Sequence, residues 1–230
     1  MSLGETLREE LNCENVFTVG GIGISESVVV TWIIMGVVLL ISLLVTRKLK
    51  VENPGKGQLL LEHAVTWIQG VSEGIVGTEG KGYAAYLTAV LIYIGAANLV
   101  GVFGFKPPTK DMNVTAALAL MSIVLIEFSG IHKKGIKKWI KGFAEPIVLV
   151  TPINILELFI KPLSLCMRLF GNVLGAFVIM KLIEYIMPVG LPVVFSLYFD
   201  LFDGLIQAYV FVFLTGLFIS ENSCSSRSTG

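Results

Sequence analysis

Of the chain's 230 residues, 54% are hydrophobic and only 15% charged, and mean hydropathy is +0.81. Soluble domains carry about 25% charged residues, so this composition is that of a polytopic membrane protein. Seventeen basic residues balance seventeen acidic ones, which leaves no electrostatic footprint for a nucleic acid. Cys13, Cys166 and Cys224 are too scattered for a disulfide framework or a metal cluster, and two histidines are too few to build a metal site, so no metal or other cofactor is expected.

The acidic leader (Glu5, Glu9, Glu10, Glu14) lacks the basic start of a cleavable signal peptide and is read as mature sequence. Residues 28–46 are uncharged up to Thr46 and long enough to cross a hydrocarbon core of about 30 Å, which predicts the first transmembrane helix. Residues 54–80 are mixed instead. Leu59, Leu60, Ala64, Trp67, Ile68 and Val71 recur at helical spacing opposite Glu62, His63, Gln69 and Glu73, the pattern of a helix lying on the membrane surface.

Residues 83–128 contain two further spans, 83–102 and 114–128, joined by a short turn carrying Lys106, Pro107, Pro108, Lys110 and Asp111. Residues 147–220 are apolar again except for a Pro/Gly break at 187–192, and read as two unusually long helices in a hairpin. The predicted fold is therefore all-α: a single integral membrane domain, 1–230, of about five crossings and one amphipathic surface helix.

Lysine and arginine gather after the first span (Arg47, Lys48, Lys50, Lys56, Lys81) and after the third (Lys133, Lys134, Lys137, Lys138, Lys141). The positive-inside rule puts both connections in the cytoplasm, with the amino terminus, the turn at Lys106 and the turn at Pro188 outside and the carboxyl terminus inside.

Polar residues in the last hairpin are aligned. At 100° per residue, Glu157, Lys161, Ser164, Arg168, Asn172 and Gly175 share an arc of roughly 80°, and Ser196, Asp200, Asp203 and Gln207 share one of roughly 60°. A buried arginine or aspartate costs about 2.5 to 3.5 kcal/mol on insertion scales, so such residues face protein or water. Two charged stripes on one hairpin describe an ion path. Against this, a lone intramembrane arginine often snorkels or joins a structural ion pair, and Lys161 and Lys181 near the helix edges fit that reading. Gly171 and Gly175 form a GxxxG spacing, usually a sign of close helix packing, which also admits another helix to the arginine face.

The segments KPLSLCMRLFGN (161–172) and LIQAYVFVFLTGLFIS (205–220) closely resemble the a subunit of the rotary F-type ATP synthase, the membrane stator that carries ions past the turning c-ring. NLVGVFGFKPPTKDMNVTAALAL (98–120), VENPGKGQLLLE (51–62) and PINILELFIKPLSL (152–165) extend the resemblance over most of the chain. It implies that Arg168 is the essential stator arginine, acting in ion translocation and in release of the ion from the rotor carboxylate. It makes Asn172 the asparagine one turn on and Gln207 the glutamine near it on the last helix. Asp200 takes the place where the family often has a titratable histidine or glutamate, and Glu157 that of an acidic residue before the lysine-proline pair. Phe177 departs from the pattern: some members carry a glutamate there, so its role passes to Asp200 or Asp203.

The function so implied is that of a non-catalytic channel subunit in a bacterial inner membrane. Two half-channels deliver H⁺ or Na⁺ to and from the c-ring, and Arg168 prevents a short circuit. Implied partners are the c-ring subunits, the peripheral-stalk b subunits, the F1 sector indirectly and membrane lipid. The outer half-channel is assigned to Ser196, Asp200 and Asp203, and the cytoplasmic route to Glu157 and Asn172. An ion-coupled secondary transporter is the alternative, although no paired repeat is visible. GTEGKG at 77–82 lacks the spacing and the terminal Ser or Thr of a phosphate loop, which leaves ATP chemistry to other subunits.

Overall fold

A computed structural model describes residues 15–19, 22–47, 55–77, 81–103, 106–137, 139, 151–187 and 190–224. The leader to residue 14, residues 147–150, and Lys48, Lys50, Lys138, Lys141 and Pro188 of the sequence reading lie outside these. Among the described residues, five helices are long and apolar enough to cross a membrane, which bears out the all-α class.

The spans are preceded by a small hairpin that hydropathy does not reveal, because each strand is too short to register. β1 (Asn15–Val19) pairs antiparallel with β2 (Ile22–Ser25), with Val19 opposite Ile22 across a Gly-Gly step in sequence.

α1 (Glu26–Thr46) follows, and within it only Ile34 is buried. Such an apolar helix without a protein face is solvated by lipid or by a partner. Its N-terminal end is pinned: Ser25 Oγ donates to Asp111 Oδ2 at 3.1 Å, Glu26 pairs with Lys106 at 3.9 Å, and Thr31 shares a hydroxyl hydrogen bond with Tyr93 at 3.2 Å. α2 (Lys56–Val76) is the amphipathic helix. It docks on its neighbours through Ser72 and Val76, while Leu60 and Trp67 stay exposed. Ser72 Oγ accepts from Thr88 Oγ1 at 3.0 Å, so the seam is polar yet satisfied.

α3 (Lys81–Leu99) runs into a 3-10 turn (Val100–Phe103); a second 3-10 turn (Pro108–Lys110) leads into α4 (Met112–Lys134). Asp111 caps α4, its Oδ1 accepting from Asn113 N at 2.9 Å. The connection carrying Lys110 and Asp111 is not a solvated loop: Thr109, Lys110 and Asp111 are all buried. Lys110 Nζ stands 4.1 Å from the centroid of the Phe177 ring, a cation–π contact that sequence spacing cannot show.

α5 (Thr151–Ile186) has 36 residues, about 54 Å at 1.5 Å per residue, far longer than an upright crossing of a 30 Å core needs. Pro162 inside it removes one backbone donor. After Gly190, at φ 86°, α6 (Leu191–Ser196), a π-helical segment (Leu197–Asp203) and α7 (Gly204–Cys224) continue as one helix. The π segment was not legible in the sequence.

The core joins α3, α4, α5 and α7 through Leu87, Ile94, Ile126, Leu165, Leu169 and Phe211. Close approach depends on Gly216, where an added Cβ would stand 2.5 Å from Ile75 Cγ2 and 3.2 Å from Leu87 Cδ1. Gly216→Ala is therefore predicted to destabilise the detergent-purified chain by about 1 to 3 kcal/mol through overpacking. Gly171→Ala, which meets nothing within 4 Å, carries no such cost and is expected to stabilise it by up to about 1 kcal/mol through helix propensity. Thermal loss of helicity measures both.

Candidate functional site

The C-terminal half of α5, α6, the π segment and the start of α7 line a cavity of about 520 Å³, together with the end of α3 and with Lys106 and Pro107. At about 30 Å³ per water molecule there is room for a connected file of water. Ser196, Asp200, Asp203 and Gln207, the four members of the second predicted stripe, all line it. A π-helix, bonded i to i+5, turns less per residue than an α-helix, so the α-helical arc is redrawn, yet the four residues still share one wall. Ser196 Oγ donates to Asp200 Oδ2 at 2.7 Å, one turn apart.

Two residues that the stripes did not include complete this wall. Asn98, buried at the end of α3, donates from Nδ2 to the Gly204 carbonyl at 2.9 Å, and its Oδ1 accepts from Thr109 Oγ1 at 3.0 Å. That clasp ties α3 and the second 3-10 turn to the point where the π segment returns to α-helix. Gly101, in the first 3-10 turn, lies directly against Asp200. Asn98 was signalled only weakly, as an amide one turn from the polar connection; Gly101 gave no signal, since only packing reveals a glycine's neighbour.

The first stripe divides. Arg168 and Asn172 lie exposed on one face of α5, outside the cavity, with Gly171 and Gly175 beside them. A Cβ on either glycine would meet nothing within 4 Å, so their spacing serves no packing inside this chain. Among the described residues, no carboxylate pairs with Arg168. Lys161 does pair, with Glu157 at 3.6 Å, and reaches over the Phe218 ring at 5.1 Å. Glu157 itself is exposed and far along the helix from the cavity, so the structure does not bring it together with the other candidates. Lys181 pairs with Glu184 at 3.0 Å at the cavity mouth.

One contact joins the open face to the cavity. Asn172 Nδ2 donates to Gln207 Oε1 at 2.6 Å, and Gln207, 3% exposed, lines the cavity from the other side. An amide pair thus links the cavity wall to the exposed arginine face.

The comparisons with known proteins cover this whole arrangement. The family described as "ATP synthase A chain" matches residues 28–220. "ATP synthase subunit a" of Moorella thermoacetica is 38% identical over 207 residues, covering 90% of this chain and 94% of that protein. "ATP synthase subunit a 2" of Bradyrhizobium sp. is 33% identical over 205 residues, covering 89% and 91%. The protein of the same name from Acaryochloris marina is 32% identical over 206 residues, covering 89% and 88%. With matches this long, and five crossings in the fold, the chain belongs to the ATP synthase a-chain family and is the ion-translocating stator subunit of a bacterial ATP synthase, a multi-pass membrane protein that works with the c-ring and other subunits of that complex.

Proposed function

We propose that the chain works as one integral membrane unit in which the cavity is the outer half-channel, the Asn172–Gln207 pair is its inner limit, and the open face of α5 is where Arg168 meets the rotor. The observation that carries this is the exposed, intramembrane Arg168 with no carboxylate partner among the described residues, set four residues before an amide that touches the chamber wall. A structural ion pair would supply the counter-charge from within the chain. Among the described residues none supplies that counter-charge, and a rotor carboxylate has the right chemistry.

The physics gives Arg168 two tasks. An opposite charge within about 4 to 6 Å lowers a carboxyl pKa by roughly 1 to 3 units, so a rotor carboxylate nearing the guanidinium releases its ion before it passes. Arginine also stays charged when partly desolvated, with a pKa above about 12, so it blocks direct exchange between the two routes. Each ion must then ride the ring, and each charge falling through 100 mV supplies about 2.3 kcal/mol. Asp200, oriented by Ser196, receives the ion on the outer side, with Asp203 deeper along the same wall. Glu157, at the opposite end of α5, belongs to the cytoplasmic route with Asn172.

The amino terminus lies outside and the carboxyl terminus inside. The ends of α1, α3 and α4 that meet at Ser25, Glu26, Lys106 and Asp111 form the outer end of the bundle, and Lys133 and Lys137 lie toward the other end. The weakly covered α1 provides an apolar surface for lipid and for the membrane helices of peripheral-stalk b subunits.

Asp200→Asn keeps the side-chain shape and loses the titratable group, so ATP synthesis and ATP-driven pumping are predicted to slow by roughly an order of magnitude with assembly intact. Asp203→Asn slows them less. Wild-type rates in both single variants and in the double variant contradict an ion-path role for this wall. In a chain without native cysteines, Met187→Cys is predicted to react with an impermeant thiol reagent from outside and Lys137→Cys only from inside; the reverse labelling overturns the orientation.

A further inference from the structure

Asp200 is held from two sides, and one of them is a residue with no side chain. At Gly101, the three heavy atoms nearest the place of an added Cβ all belong to Asp200: Oδ1 at 2.8 Å, Cγ at 3.0 Å and Cβ at 3.5 Å. Real Cβ atoms essentially never come closer than 3.0 Å to such an atom, so any side chain at 101 must displace the carboxylate. Backbone conformation does not demand glycine here, since the positive-φ glycines among the described residues are Gly77, Gly135 and Gly190. What Gly101 supplies is space.

The neighbouring close-packed glycines differ. Gly204 would meet the Asn98 side chain, and Gly216 would meet Ile75, Leu87 and Val76, which are packing contacts. At Gly101 all three nearest atoms belong to a carboxylate-bearing side chain. On the opposite side, Ser196 Oγ donates to the other carboxylate oxygen, Oδ2, at 2.7 Å, and Gly101, Ser196 and Asp200 all line the cavity. The carboxylate is therefore seated between a hydroxyl on its own helix and a bare backbone on the 3-10 turn after α3. Aspartate has only a short stem, so moving Oδ1 and Cγ away from a new methyl group requires rotation about χ1, and that rotation carries Oδ2 off the Ser196 hydroxyl.

We infer that Gly101 is a positioning residue for ion entry: its missing side chain lets Asp200 keep the single orientation in which it is both bonded to Ser196 and open to the cavity. The inference rests on the proposal that Asp200 receives the ion, and it extends that wall to an element that carries no titratable group of its own.

The test is a double-mutant cycle in the assembled complex, reconstituted in liposomes, with synthesis driven by acidifying the outer side. The four forms are wild type, Gly101→Ala, Asp200→Ala and the double variant. Gly101→Ala is expected to slow synthesis roughly tenfold, about as much as Asp200→Ala, and the double variant to be no slower than Asp200→Ala alone, because the methyl group then has nothing to displace. The outer-side pH that gives half-maximal synthesis is expected to move away from the wild-type value in Gly101→Ala, a readout that simple loss of packing leaves in place. If Gly101→Ala assembles poorly, removing the carboxylate in the double variant restores assembly; failure to restore it assigns Gly101 to packing and overturns the inference. Multiplicative losses in the double variant, or wild-type synthesis in Gly101→Ala beside a slow Asp200→Ala, also overturn it while leaving the ion-path role of Asp200 standing. Wild-type synthesis in Asp200→Ala removes that role itself.

Discussion

A guanidinium in the middle of a membrane-crossing helix costs about 2.5 to 3.5 kcal/mol on insertion scales, and removing one partner of a buried ion pair costs about 3 to 5 kcal/mol. Arg168 bears the first cost without an internal carboxylate to offset it among the described residues. Much else in the hairpin fits around that fact. Along the arginine face Ser164, Gly171, Asn172 and Gly175 are small or polar, and the two glycines are open, so a partner helix can approach closely. Behind the arginine face, Leu165 and Leu169 are buried against the core, which fixes which side of α5 looks outward. A helix that packed Arg168 against its own bundle would satisfy the charge and have nothing left with which to engage a moving carboxylate.

The second constraint is the separation of two solvents. In the proposed mechanism the outer route runs through the cavity lined by Ser196, Asp200, Asp203 and Gln207, and the Asn172–Gln207 hydrogen bond joins the cavity wall to the open face of α5. Both partners are neutral amides, so the link between the cavity wall and the open face adds no charge of its own beside Arg168. The clasp made by Asn98 on Gly204 and the π-helical segment hold that wall in place from α3. π segments inside α-helices are rare and recur at functional sites, and this one contains both aspartates.

Much of this was legible in the sequence for simple reasons. Hydropathy over some 20 residues identifies a span whatever it packs against, and an i, i+4 repeat such as Ser196 to Asp200 survives local changes of helix type. Arg168 and Asn172 stood out because charge and amide groups are costly in an oily run. What escaped depends on contacts between distant segments. Lys110 and Asp111 read only as part of a short turn, because polarity alone cannot reveal that a connection folds inward onto Phe177 and Ser25. Gly171 and Gly175 offered two readings, close packing or access for another helix to the arginine face; among the described residues nothing packs there, and the proposed mechanism uses the second. Glu157 lay on the stripe by angle, yet a helix of about 54 Å carries residues on one face far out of reach of each other.

The central claim is that Arg168 both discharges the rotor carboxylate and keeps the two routes apart. Passive ion flow and ATP synthesis, measured together on reconstituted Arg168→Ala complexes, test it most directly. The account predicts that synthesis is abolished while passive flow persists or rises, because the barrier is lost and the channels remain. A fully assembled Arg168→Ala complex that makes ATP at the wild-type rate would contradict it.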